Sequence, residues 1–279
     1  MNEFLRIDAA LAGGTEQLRN VSDSPRLDTE LLLARALDVA RSYLFAHPED
    51  SLDPAAVARF STAMERRAQG MPIAYITGEK EFWSMLLTVT PDTLVPRPET
   101  EVLVDQTLQR VPEDGEFAVL DLGTGCGAIA LAVAKERPNC IVTATDASDA
   151  ALVVARENAN RHAVPNIDFL SGNWTAPVAG MSFDVVVSNP PYVPDADKDL
   201  DRLRFEPRAA LAAGADGLDA IRRISADAMA VLRRGGSLLI EHGDKQQEAV
   251  ARILAADGWG DISHVTDLAG KPRVTIAVS

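Results

Sequence analysis

From residue 117 to residue 278, short apolar runs alternate with helical stretches, and nothing else in this 279-residue chain limits its fold so tightly. Residues 117–122, 141–145, 167–170, 183–188, 237–241 and 274–278 read as strands. Residues 128–135, 150–161, 220–232 and 248–256 read as the helices between them. Alternation of this kind predicts an α/β fold, a mostly parallel doubly wound sheet with helices on both faces. Such sheets bind their ligands at the carboxyl ends of the strands, so residues just past each strand are the first candidates for a site.

The first strand runs into Asp121-Leu122-Gly123-Thr124-Gly125-Cys126-Gly127. Glycines at alternate positions let the backbone turn sharply and approach a ligand within contact distance. The next strand ends in Asp146, placed to accept hydrogen bonds from ribose hydroxyls. A dinucleotide loop is G-x-G-x-x-G, with the pyrophosphate on a helix N-terminus. Here the spacing is G-x-G-x-G and an acid precedes it. An acid there opposes a pyrophosphate and suits a cationic amino-acid group, which points to S-adenosylmethionine. Cys126 sits near a helix N-terminus, a position that can lower a thiol pKa; a small side chain that merely fits the loop is the expectation.

A fourth strand ends in Asn189-Pro190-Pro191-Tyr192. Two prolines neither donate to a ladder nor continue a helix, and each pushes the preceding residue into extended backbone. The result is a stiff corner with unpaired carbonyls above the sheet edge, suited to holding a planar NH2 group by its two hydrogens. Asn189 Oδ1 and the Pro190 carbonyl are the expected acceptors, with Tyr192 as an aromatic wall. His242 follows a strand and invites a reading as a base; a structural role is the expectation.

Before the sheet, the chain reads as short helices. Ser24-Pro25 and Asp53-Pro54 each give a capping residue followed by proline at the first helical position. Leu27, Leu31, Ala34 and Leu37 recur at helical spacing, as do Val57, Phe60 and Met64, with Gly70 as a stop. The expected boundaries are a helical recognition domain over 1–76, a hairpin and linker over 77–98, and a catalytic domain over 99–279.

Lys and Arg total 27 against 41 Asp and Glu, a net charge of −14, and no basic run exceeds two residues. A nucleic-acid groove needs a basic face, so direct nucleic-acid binding is not expected and a protein partner fits better. No apolar stretch approaches a membrane span, and Met1-Asn2-Glu3-Phe4-Leu5-Arg6 has no signal-peptide pattern. Cys126 and Cys140 form neither a disulfide framework nor a metal cluster. A reduced cytoplasmic monomer without a metal is expected.

The ordered motifs resemble a known family, the release factor glutamine methyltransferases (the HemK/PrmC family). The likeness spans nearly the whole length and includes the run from Gly70 to Gly78, Val95-Pro96-Arg97-Pro98-Glu99-Thr100-Glu101, the glycine loop and Asn189-Pro190-Pro191-Tyr192. It continues through Glu206-Pro207-Arg208, Gly214-Ala215-Asp216-Gly217-Leu218, Glu241-His242-Gly243 and Asp267-Leu268-Ala269-Gly270. The resemblance implies a five-helix N-terminal domain, a hairpin connector and a class I, Rossmann-like methyltransferase domain with a seven-stranded sheet. It implies methyl transfer from S-adenosylmethionine to the amide nitrogen of the glutamine in the Gly-Gly-Gln loop of class-1 peptide-chain release factors, in support of translation termination. Residues 123–127 would wrap the methionyl part, Asp146 hold the ribose, and Asn173 and Trp174 meet the adenine. Asn173 stands where the family commonly has an acid, and Cys126 where it has a hydroxyl residue. A related family acting on a ribosomal-protein glutamine shares the Asn-Pro-Pro-Tyr corner; the Arg97–Glu101 run favours the release-factor group. An adenine-amino methyltransferase, a docking module without catalysis and a nicotinamide dehydrogenase are the rival readings.

Overall fold

The computed structural model describes residues 5–279, and the chain clusters into two compact units that divide after Glu79. The first unit holds five helices among its described residues: α1 (Ile7–Leu18), α2 (Pro25–Leu37), α3 (Arg41–Ala46), α4 (Pro54–Ala68) and α5 (Ile73–Thr77). The Asp53 side chain caps α4, accepting from Ala56 N at 2.7 Å, as expected of Asp-Pro. Ser24 precedes Pro25 but its side chain makes no capping bond. The periodicity read in α2 caught the buried stripe only in part: Ala34 is buried and Leu37 packs on the core. Leu27 is exposed, whereas Asp28, Thr29, Leu32, Leu33 and Ala36 are buried. Buried acids moved the face by about one position. Asp28 is neutralised by Arg67 at 2.7 Å and Glu30 by Arg26 at 2.6 Å, so burying them leaves no charge unpaired.

The second unit opens with a hairpin of β1 (Glu79–Phe82) and β2 (Met85–Thr88). Its two-residue connection puts Trp83 and Ser84 at φ +50° and +55°, the left-handed pair of a type I′ turn that usually takes Asn-Gly. Side chains hold the unusual residues there. Glu101 accepts from Trp83 N at 3.1 Å, Glu81 from Ser84 N at 2.8 Å, and Glu136 from the Trp83 indole at 3.0 Å.

Beyond it come α6 (Glu101–Leu108), β3 (Ala118–Leu122), α7 (Ala128–Glu136), β4 (Ile141–Asp146), α8 (Asp149–Arg161), β5 (Ile167–Ser171) and β6 (Phe183–Ser188). The chain ends with α9 (Asp199–Arg202), α10 (Asp219–Ala228), β7 (Leu232–Glu241), α11 (Gln247–Ala256), β8 (Gly260–Thr266) and β9 (Pro272–Val278). The seven-stranded sheet has the order β5-β4-β3-β6-β7-β9-β8, with β9 alone reversed, antiparallel to both β7 and β8. Helices α7 and α8 pack along β3–β5, and α6, α10 and α11 along β6–β9. Leu120, Val186, Leu238, Ile221 and Leu254 lie in the buried core. The fold is a class I methyltransferase α/β sheet. No described helix is long and apolar enough to cross a membrane.

Two elements differ from the sequence reading. The helix expected to reach residue 232 is α-helical to Ala228 and continues as a 3-10 turn over Met229–Val231, and β7 begins at Leu232 through an irregularity facing Phe183 and Val185. Arg233 and Arg234 disguise this segment; it is pinned instead by the Arg233–Asp184 ion pair at 2.5 Å. Strand β8 was not expected, because its residues are mostly exposed and polar and only the ladder to β9 defines it.

Asn158 of α8 is fully buried and joins two distant segments. Its Oδ1 accepts from Thr88 N at 2.7 Å; its Nδ2 donates to Thr88 O at 3.0 Å and to Cys126 O at 2.9 Å. Removing it strands three backbone groups, the buried Cys126 carbonyl and the half-buried N–H and carbonyl of Thr88. Asn158→Ala is therefore expected to lower stability by about 2–4 kcal/mol, read as a fall in the urea midpoint at unchanged slope.

Candidate active site

In the register of the sheet, Leu122 sits beside both Thr145 and Ser188, and Ser188 beside Ile240. Four strands thus end on one level, where β3 meets β4 on one side and β6 on the other. The loop after β3 hangs from its neighbour: Gly123 N and Thr124 N both donate to Thr145 O, at 2.9 and 3.0 Å. Asp146 is fixed by two amides, accepting from Gly125 N and Ser148 N, each at 2.8 Å. Gly123 and Gly125 have φ of +74° and +58°, and a Cβ on Gly123 would meet only the Trp174 ring, at 3.5 Å. Trp174 itself is left-handed at φ +48°, and its carbonyl accepts from Thr145 Oγ1 at 3.1 Å.

These residues wall a cavity of about 480 Å³ that includes Gly123, Gly125, Asp146, Asn173, Trp174 and Asn189. Thr124, Cys126 and Asp121 are buried behind that wall, and Gly127, at φ +88°, starts α7. Thr124 Oγ1 donates to Asp121 Oδ2 at 2.7 Å, while Asp121 Oδ1 is buried without a partner among the described residues.

A second cavity of about 450 Å³ is lined by Arg97, Pro190, Tyr192, Gln246 and Arg273. Leu94, Asn189 and Ala210 belong to both cavities, so the Asn189 amide stands at their junction. Asn189 Nδ2 donates to Thr100 Oγ1 at 3.1 Å, which leaves Oδ1 as the free end. The Pro190 carbonyl takes no backbone hydrogen bond among the described residues. Gln246 Nε2 donates to Tyr192 O at 2.9 Å, and Val193 N to Leu211 O at 2.8 Å. Gly217 backs the corner so closely that a Cβ would lie 2.3 Å from Tyr192 O.

Charge at the site is arranged by burial. Desolvation pushes Asp121 up to about 7, with the Thr124 hydroxyl pulling the other way. Glu241 at the end of β7 is likewise raised by burial to about 7. Cys126 follows the space-filling reading: burial drives its thiol up to about 12, and the helix N-terminus does not offset the loss of water. It fills space and is not a nucleophile. Burial lowers the pKa of His242, whose ring is spent on the Gly243 carbonyl at 2.9 Å and Thr275 Oγ1 at 2.8 Å. That is a structural histidine.

Comparison with known proteins agrees with this geometry. A family model described as the PrmC N-terminal domain matches residues 9–78, and one described as the methyltransferase small domain matches residues 99–204. A release factor glutamine methyltransferase of Coxiella burnetii is 47% identical over 98% of this chain and 99% of its own length. That of Escherichia coli is 42% identical over 91% of this chain and 92% of its own. This chain belongs to the release factor glutamine methyltransferases. A solved methyltransferase from Pyrococcus furiosus, 22% identical, covers 78% of this chain and 98% of its own with a TM-score of 0.55, a likeness of fold.

Several residues that shape this family site carry no local signal in the sequence. Glu206 is buried, accepts from Val95 N at 3.1 Å and pairs with Arg97, stapling the proline-rich connector to a segment over 100 residues later. Thr100, Gln246 and Arg273 reach the site from equally distant stretches. Only the recurrence of Arg97 and Glu206 in the motifs of the family resemblance could have flagged that pair.

The two raised acids set a pH dependence. The folded protein keeps their protons up to about pH 7, whereas an unfolded chain releases them near 3.8 and 4.5. Folding therefore takes up protons between those limits, and stability falls as pH rises through that window, by up to about 1.4 kcal/mol per pH unit for each group. The urea midpoint of the cofactor-free protein is expected to drop between pH 5.5 and 7, and Asp121→Asn to flatten the drop. A slope unchanged in that variant would show that Asp121 holds no such proton.

Proposed function

We propose that this protein methylates the side-chain amide nitrogen of the glutamine in the Gly-Gly-Gln loop of class-1 release factors, using S-adenosylmethionine. The observation that carries the reading is the Asn189 amide, held by Thr100 with its oxygen free where the two cavities meet.

Three features support the cofactor. Gly123 and Gly125 leave their stretch of cavity wall without side chains, which suits close approach of the methionyl part. The carboxylate of Asp146, oriented by two amides, suits paired ribose hydroxyls. The Trp174 ring beside Gly123 and the Asn173 amide suit an adenine, and the unpartnered Asp121 carboxyl beneath the loop suits the amino-acid cation, whose charge would favour its ionised form. When bound, the cofactor supplies an electrophilic methyl group on a sulfonium.

The residues of this chain then have to orient a poor nucleophile, because an amide lone pair is delocalised into its carbonyl. Asn189 Oδ1 and the Pro190 carbonyl each accept one hydrogen of the substrate NH2. That pins the nitrogen, turns its lone pair toward the cofactor cavity and favours a tetrahedral nitrogen. Positive charge growing on the nitrogen faces two fixed oxygen dipoles, which need no reorganisation. Tyr192 and Pro191 close the walls and limit water. The proton leaves once the nitrogen has been methylated and is acidic, so no strong base is required beforehand.

Asn189→Ala is expected to cut kcat by about 10²–10³-fold with little change in cofactor affinity. Asp146→Ala is expected to raise the cofactor Kd by about 10–100-fold instead, through loss of charged hydrogen bonds. The deciding experiment incubates the protein with labelled S-adenosylmethionine and a release factor carrying Gln or Ala in its loop. Label is expected on the Gln protein alone; equal label on the Ala variant overturns the assignment.

A further inference from the structure

Glu241 ends β7 one position beyond Ile240, and Asn189 lies one position beyond Ser188, the partner of Ile240 in the ladder. The two residues are therefore neighbours across the sheet edge. Glu241 is fully buried, and its Oε1 accepts from the Tyr192 hydroxyl at 3.3 Å. Thr100, itself buried, bears on the same carboxyl and accepts the Asn189 amide on its Oγ1. The other oxygen, Oε2, has no partner that meets hydrogen-bond geometry among the described residues, so the carboxyl retains room to accept a further hydroxyl proton.

We infer that Glu241 is a positioning residue that sets the direction of the hydrogen bonds through Thr100 and Tyr192 and so keeps the acceptor oxygen of Asn189 turned to the substrate. The inference rests on the proposed role of Asn189. A carboxylate only accepts hydrogen bonds, whereas a hydroxyl can donate or accept. With Glu241 ionised, Thr100 and Tyr192 both donate inward. Thr100 Oγ1 is then left as an acceptor, so only the NH2 end of Asn189 can satisfy it. Oδ1 must face the cavity. With Glu241 protonated, Thr100 can accept from Glu241 and donate to Asn189, which admits the flipped amide. A flipped Asn189 would present NH2 to the NH2 of the substrate, two donors face to face.

The charged neighbours of Glu241 come from two elements. Arg273 of β9 favours its ionised form and Glu99 of the turn before α6 opposes it, while Tyr192 and Thr100 are the polar groups on the remaining sides. Arg273 is in turn held by Asp267 at 3.0 Å, whose carboxylate also takes the Ala269 and Lys271 amides. The Asp267-Leu268-Ala269-Gly270 turn thus supports the corner from a distance. Burial places the titration of Glu241 at about 7, within reach of ordinary buffers.

The first test needs no turnover. The side-chain NH2 resonances of Asn189, assigned by their loss in Asn189→Ala, are followed by NMR from pH 5 to 9 in the full-length protein. They are expected to move with a midpoint near neutral pH in the wild type and to stay still in Glu241→Gln. Resonances that do not move, or that move equally in the variant, overturn the inference. In the methylation assay, Glu241→Gln and Thr100→Val are expected to lower kcat at least about tenfold with cofactor Kd within about twofold, and Thr100→Ser to restore it. The wild-type kcat should rise with pH through neutrality and the Gln variant should lose that limb. Wild-type kcat and pH profile in folded Glu241→Gln would also overturn it. A wild type that fails to label the release factor would sink the proposed function, yet the NMR result would still decide the role of Glu241.

Discussion

Everything at this site depends on a parallel ladder that brings four strand ends to one level. A parallel sheet exposes the carboxyl ends of successive strands together, and the reversal of strand order beside β3 opens a crevice between the neighbouring loops. Asp121, Asp146, Asn189 and Glu241 come from segments scattered over some 120 residues, yet the register places them along that edge. Each is anchored by a backbone or side-chain partner before any ligand arrives. Preorganisation of this kind is what a weakly nucleophilic amide demands, since little but orientation and electrostatics is on offer to it.

Burial is used here in two opposite ways. In the helical unit, Asp28 and Glu30 are buried with arginines against them and carry no net cost of an unpaired charge. Under the methyltransferase loops, Asp121 and Glu241 are buried with one oxygen each unpartnered and hold their protons to about pH 7. Unpaired buried acids are expensive, and their presence only at the site is the mark of function placed above stability.

Much of this was legible in the sequence, because it is local. The alternation of strands and helices, the turn forced by Gly123 and Gly125, the acid ending β4 and the stiffness of two prolines each lie within a few residues. The Asp53 cap was readable for the same reason. Long-range partners were not: Thr100 and Asn189 are 89 positions apart, Arg97 and Glu206 are 109, and Asn158 reaches Thr88 across 70. Strand β8 escaped because an exposed edge strand has no apolar alternation to betray it. The buried face of α2 was read only in part because charged residues occupy it in pairs, which a hydrophobic stripe cannot show. Space-filling was the better reading of Cys126 because a helix end counts for little once water is gone.

The Thr88–Asn158–Cys126 link has a consequence for dissecting the protein. The carbonyl of the glycine loop is held, through one buried amide, by a residue that precedes the sheet by 30 positions. Val95, too, leans on Glu206 from before the first helix of the sheet domain. A fragment cut at residue 99, where the methyltransferase family match begins, would carry every group assigned to the chemistry. It would nonetheless lack the backbone that Asn158 and Glu206 grip, and both side chains would be left to seek water in the interior. From Lys80 on, the hairpin groups with the sheet, so it is a structural member of that unit and not a tether to it.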